Sequence, residues 1–154
     1  MTSEALRYPA AKADLVRWIV VGFLAGAASV LIFHQGAAAL LHTLQLTPRA
    51  PYSMQPTAPW GVPQLWSIAF WGGLWGVLLA LALARLDGAR LVLVALVFGA
   101  VLPTLVAWFV VAPLKGQPMA GGFNPATMVV GPIVNAAWGL GTGIGLALFG
   151  RRSR

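Results

Sequence analysis

FWGGLWGVLLALALARLDGARLVLVALVFGAVL, residues 70–102, is the stretch that decides the fold class. Two apolar runs flank one short polar turn, RLDGAR at 85–90. Neither run alternates apolar and polar residues as a barrel strand does. Extended to their full length, both reach the ~20 residues that cross ~30 Å of hydrocarbon at ~1.5 Å per residue. In lipid, a helix is the one open segment that satisfies its own backbone groups. Asp87-Gly88 is a tight-turn signal, so the stretch predicts an antiparallel helical hairpin.

Working outward, the same reading gives four spans, at about 18–46, 65–84, 91–112 and 129–150, in a single transmembrane domain over residues 1–154. The expected fold class is all-α: an integral membrane four-helix bundle packed through small residues. Whole-chain composition agrees. Charged residues make up 8% and hydrophobic residues 59%, with a mean hydropathy of +0.83, where a soluble domain carries about 25% charged residues. The small residues Ala37 to Ala39 resemble a leader-cleavage site. The apolar run around them exceeds a leader's ~7–15 residues and continues past them, so an uncleaved anchor is expected.

The net charge is +7, but nucleic acid is not the expected partner, because the cations sit at span ends. Arg7, Lys12, Arg17, Arg85, Arg90, Arg151, Arg152 and Arg154 fall on one side, and Arg49 and Lys115 on the other. The positive-inside bias predicts both termini in the cytoplasm, and the Ala/Gly/Leu-rich, Lys-poor usage points to a bacterial host and hence an inner membrane. The outward loops, 47–64 and 113–128, are rich in Pro, Gly and aromatics and hold no acidic residue. Their prolines exclude a regular helix or central strand. Irregular caps are expected, with Tyr52, Trp60, Trp66, Trp108 and Phe123 at the interface.

Helices in lipid associate by close contact rather than by excluding water, so small residues four apart mark packing faces. Such stripes occur in every span: Gly22, Gly26, Val30, His34, Ala38 and His42; Gly72, Gly76, Ala80 and Ala84; Ala95, Gly99, Pro103 and Ala107; Gly131, Asn135, Gly139 and Gly143. His34 and Asn135 lie on their stripes, which predicts that both face the protein. Counting along the helices puts them at similar depth in the outer leaflet. Gln35 and Trp108 join them there, with Gln64 and His42 further out. An outer polar site of His34, Gln35, Asn135, Trp108, Gln64 and His42 is therefore the candidate. Two readings of His34 stay open, an interhelical hydrogen bond to Asn135 or a backbone carbonyl, and a ligand or proton role.

Reactive chemistry is sparse. No carboxylate lies within a span or an outer loop, and the chain has no cysteine. A carboxylate dyad, a Ser–His–Asp set and a thiolate metal site are therefore absent from the sequence. His34 and His42 are eight residues apart, about 12 Å of helix rise, too far for one metal ion, and no cofactor or metal is expected. GLGTGIGLALFG at 139–150 is glycine-rich but follows no strand, so it reads as helix packing rather than a phosphate loop. Trp71 and Trp75, one turn apart, offer either a ring surface for a ligand or ordinary packing.

The two halves echo each other. Each has a long span, a proline and a basic residue, then a methionine and an aromatic, then a return span containing Trp-Gly. Duplication and chance likeness of two membrane hairpins are both open. Phe33-His34-Gln35-Gly36, Leu41-His42 and the segment from Phe70 to Gly76 resemble a group of small four-span proteobacterial membrane proteins. That resemblance covers the first half, implies the four-span architecture, and carries no activity. The expected role is a non-enzymatic accessory or assembly subunit, partnered by the lipid bilayer and by other membrane proteins or itself. The alternative is a small transporter or ligand-binding protein using the outer polar site.

Overall fold

The computed structural model describes the backbone of residues 3–150 and the side chains of residues 14–150. The expectations on Arg7, Lys12, Arg151, Arg152 and Arg154 lie outside these. A first rod is built from helix α1 (Ser3–Ser29), a π turn (Val30–His34) and helix α2 (Gln35–Thr43). Helix α3 (Gln64–Ala82) returns, and α4 (Gly88–Val106) leaves again. A second π turn (Ala107–Val111) and the short α5 (Ala112–Leu114) extend α4. After a 3₁₀ segment (Met119–Phe123) and α6 (Pro125–Met128), helix α7 (Val130–Phe149) closes the bundle. Four rods, Asp14–Thr43, Gln64–Ala82, Gly88–Leu114 and Pro125–Phe149, are long and apolar enough to cross a membrane.

Packing does not follow chain order. The close pairs are α1 with α3, α4 with α7, and α1 with α7, whereas α3 and α4 barely touch. The hairpin expected around RLDGAR is thus adjacent in sequence but splayed in space. Between α3 and α4, the rings of Trp75 and Phe98 meet edge to face with centroids 6.1 Å apart.

Small residues decide which pairs close. A Cβ on Gly26 would overlap the Gly72 carbonyl oxygen and lie 3.0 Å from Gly76 Cα. A Cβ on Gly22 would come within 2.8 Å of Gly76 O and Ala80 Cβ. In the other seam, a Cβ on Gly99 would overlap Asn135 O and stand 2.8 Å from Gly139 Cα, and one on Gly143 would stand 2.8 Å from Ala95 Cβ. Helix α7 has a second small face. Gly141 meets Ser29 and Phe33, and Gly145 meets Ala25, all on the first rod. At the position matching Gly141, α3 carries the bulky Leu78, and at the position matching Gly145 it carries Ala82, so this face of α3 has no glycine to let α4 approach. The glycine-rich segment of the fourth span is therefore a two-sided packing helix.

These seams align the two halves. Asp14, Arg17, Gly22 and Gly26 correspond, 73 residues on, to Asp87, Arg90, Ala95 and Gly99. Trp75, Gly76, Ala80 and Leu83 correspond, 63 residues on, to Trp138, Gly139, Gly143 and Leu146. Each outward rod also contains a π turn and ends in the same cap. Leu46 N–H reaches Leu41 O and Gln45 N–H reaches His42 O, while Gln117 N–H reaches Ala112 O and Gly116 N–H reaches Pro113 O. That is a Schellman stop, whose penultimate residue must be left-handed. Gly116 has φ +66° and Gln45 φ +58°. Two hairpins thus share helix register, wide turn and cap, and the echo in the sequence is a repeat of packing.

The first cap leads to a two-residue antiparallel ribbon, Pro56–Thr57 with Val62–Pro63, whose tip holds Trp60 at 87% exposure. Regular structure in the proline-rich loops is limited to such short pieces. Residues Ala120, Gly121, Gly122 and Phe123 all have φ between +47° and +73°. At the opposite end, Arg17 donates to the Phe149 carbonyl at 3.1 Å and Trp18 Nε1 to the Ala80 carbonyl at 2.5 Å. The start of the first span, the end of the fourth and the α3–α4 turn therefore share one end, with both long loops at the other.

Candidate functional site

The first question is where the expected outer cluster falls. Along the first rod the buried face runs Trp18, Gly22, Gly26 and Val30 at a step of four, then moves five residues to Gln35. The π turn over Val30–His34 is the cause. An i→i+5 turn inserts one residue and rotates everything beyond it off the earlier ridge. His34, expected on the packing stripe, is displaced to its flank and is half-buried, and His42 is exposed. Gln35 takes the inward position and is 5% exposed.

Gln35 holds the outer loop. Its Oε1 accepts the backbone N–H of Tyr52 at 2.6 Å, at a residue whose φ is +53°. Tyr52 completes the tie by donating its hydroxyl to Leu31 O at 3.2 Å. His34 contributes a long contact, its Nδ1 3.4 Å from Gln35 Nε2. Gln35→Leu is expected to strand the Tyr52 N–H and cost about 1–3 kcal/mol, while His34→Ala costs under about 1 kcal/mol. Denaturant titration followed by tryptophan fluorescence measures both, and the reverse order would refute this assignment.

Asn135 lies elsewhere. Its Nδ2 donates to Thr104 Oγ1 at 2.9 Å, within the α4–α7 seam, so the expected pairing with His34 is not formed. The 135/139/143 face of α7 points at α4, whereas the first rod meets the 141/145 face. Trp108 is part of the α4–α7 seam, since a Cβ on Gly131 would stand 3.3 Å from its Nε1 and 3.3 Å from Thr104 Cγ2. The α4 stripe also departs from the expected one. After Ala95 and Gly99 the buried residue is Thr104, with Pro103 and Ala107 less covered. His42 Nδ1 stands 3.1 Å from the Thr47 carbonyl and folds the chain back after α2. Gln64 is exposed at the start of α3.

One expected cluster therefore resolves into four places: Gln35 with His34 and Tyr52, Asn135 with Thr104 and Trp108, His42 with Thr47, and Gln64 at the outer surface. A further polar set was not anticipated. Ser29 Oγ donates to Trp138 O at 2.7 Å, Thr142 Oγ1 donates to the same carbonyl at 2.8 Å, and Trp138 Nε1 donates to Gly26 O at 2.9 Å. Among the described residues no buried side-chain nitrogen or oxygen lacks a partner. None of the metal-capable groupings of three or more His, Cys, Asp or Glu occurs among them either. Trp71 is 59% exposed, on the outside of the bundle, while Trp75 turns toward α4, so the two rings do not form one platform.

Comparison with protein-family models, with curated proteins and with solved structures finds no match.

Proposed function

We propose that this chain is a non-enzymatic, multi-pass inner-membrane protein with both termini in the cytoplasm, acting as an accessory or assembly subunit that docks against another membrane protein. The observation that carries the reading is how the polar core is used. Ser29 and Trp138 bond to backbone carbonyls across the α1–α7 seam, Asn135 bonds Thr104 across the α4–α7 seam, and Thr142 bonds within α7 to the carbonyl that Ser29 shares. A carrier or an enzyme keeps polar groups available for its cargo, and here they are consumed in holding rods together.

The lipid-facing side offers a groove between α1 and α7, walled by Leu24, Ile32 and Leu148 and floored by Ala25, Ser29 and Gly145. A shallow apolar groove with a small-residue floor suits a helix of a partner subunit, because close approach is what joins helices in lipid. Orientation rests on the charge asymmetry, with Arg17, Arg85 and Arg90 at the turn end.

Since the chain has no cysteine, a single introduced thiol reports on one place. Ala28→Cys, in the groove, is expected to cross-link to a larger membrane protein in native membranes, and Trp71→Cys is not. Ala28→Phe, which fills the groove, is expected to release the chain from that complex in native mass spectrometry while leaving it folded. Recovery of the chain only as a monomer or self-oligomer, with equal labelling at both positions, overturns the reading.

A further inference from the structure

Two cations, Arg49 and Lys115, are the Lys and Arg of the two long loops, 47–64 and 113–128. They are 66 residues apart, Arg49 three residues beyond the first Schellman stop and Lys115 just before the left-handed Gly116 of the second, and yet both line a single open hollow of about 390 Å³. Its other walls are Ser53, Gln64 and Gln117, with Ala50. Every charged group around it is positive, and both loops lack Asp and Glu, so no internal carboxylate neutralises the pair. The remaining polar walls, two amides and a hydroxyl, are neutral donors as well as acceptors.

The placement of these charges runs against topology. Cations on this end oppose the orientation that the other end favours, and two cations facing each other repel. Bringing both to one hollow is explained by an anion between them. The cavity also sits at the outer ends of α3, through Gln64, and of the α4 rod, through Lys115. These are the two rods that splay apart. A headgroup held there would have the gap between them for its chain.

From this convergence we infer that the cavity between the two outer loops binds a phosphate-bearing anion, with Arg49 and Lys115 as its charge partners and Ser53, Gln64 and Gln117 as hydrogen-bonding walls. The chemistry is shared by an anionic lipid headgroup and by free phosphate. The inference does not depend on the docking reading above, because the groove lies on the α1–α7 side.

The experiment compares wild type with Arg49→Gln, Lys115→Gln and the double variant Arg49→Gln/Lys115→Gln. Both residues are exposed, and removing outer cations reinforces the existing orientation, so fold and insertion are expected to survive. Arg85→Gln/Arg90→Gln at the other end is the charge-matched control. In one arm, nanodiscs of phosphatidylcholine with phosphatidylglycerol are opened in native mass spectrometry and retained phosphatidylglycerol is counted. In the other arm, inorganic phosphate is titrated in neutral detergent and the unfolding midpoint is followed by tryptophan fluorescence.

Retention of phosphatidylglycerol that is about fivefold weaker for each single variant and roughly 30-fold weaker for the pair, the loss expected of membrane-surface cations, identifies a lipid source. A midpoint raised by phosphate in wild type and the control, but not in the double variant, identifies a soluble source. If the double variant retains the lipid and responds to phosphate as wild type does, or if wild type does neither, the inference is wrong.

Discussion

Gly26→Val is expected to prevent the bundle from closing, with a loss of about 3 kcal/mol or more, at the upper end of overpacking costs. The added Cβ would fall on the Gly72 carbonyl oxygen and the Gly76 Cα. Both are backbone, so no rotamer change relieves the overlap, and α3 must move as a rod. In lipid no hydrophobic gain returns when it does, since acyl chains are as apolar as leucine and association rests on close contact. Gly99→Val makes the same demand of the second seam, where Asn135 O and Gly139 Cα stand in the equivalent places, and should cost a similar amount. Gly36→Ala is the control, because nothing lies within 4 Å of its added Cβ. Its midpoint should stay within about 0.5 kcal/mol of wild type. Unfolding in mixed micelles, read by fluorescence, checks all three. A Gly26→Val protein as stable as Gly36→Ala would mean that α1 and α3 are not in contact.

That seam was legible because glycine at a step of four is a direct imprint of close helix approach. Gly22, Gly26, Gly72, Gly76, Gly99, Gly139 and Gly143 all lie at helix crossings. The number of spans and the small faces follow from composition and periodicity in the same way. The expected pairing of His34 with Asn135 failed because Asn135 faces α4, and the inward placing of His34 failed for one geometric reason. A constant step of four carries His34 onto the ridge, and the π turn at Val30–His34 shifts the ridge to Gln35. Nothing in VLIFH announces a wide turn, because its hydrogen bonding depends on what the rod packs against. The α3–α4 pairing failed for another. A short turn promises adjacency in the chain, but which rods touch depends on how many small faces each offers, and α7 offers two. The outer cavity has a signal in the sequence as well: two cations, each near the outer end of a span, with no acid in either loop.

The repeat explains why the halves cooperate without being equivalent. A shared register gives both hairpins a glycine seam, so each is a closed unit. Joining them needs a third contact, and the sequence supplies it on one side, through Gly141 and Gly145 against Ala25, Ser29 and Phe33. Had α3 carried glycine at Leu78 and Ala82, as α7 does at 141 and 145, the opposite side would close as well. The splayed side places Gln64 and Lys115 at the rim of one cavity, so the asymmetry that weakens α3–α4 packing also shapes the outer surface.

Trp138 is the test of that asymmetry, and Trp138→Ala is expected to cost about 3–5 kcal/mol, the range for emptying a large aromatic site. The ring is 2% exposed and lies where three rods meet. Its Nε1 donates to Gly26 O on α1, and a Cβ on Gly72 of α3 would come within 3.2 Å of the same nitrogen. The backbone carbonyl of Trp138, which accepts from Ser29 and Thr142, survives the substitution, so the loss reports on the side chain alone. Trp138→Phe separates the two parts. It fills most of the volume but removes the donor, and membrane hydrogen bonds average ~0.6 kcal/mol with a maximum near 1.7, so its cost should stay within that range. Trp75 stands at the corresponding register of α3 but is only half-buried and meets Phe98 across the splayed side. Trp75→Ala should therefore cost clearly less than Trp138→Ala, because one wall of its site is already open and lipid chains can fill the gap. Equal costs at the two tryptophans would mean that α3 and α4 close as tightly as α1 and α7, and the open side would have to be abandoned.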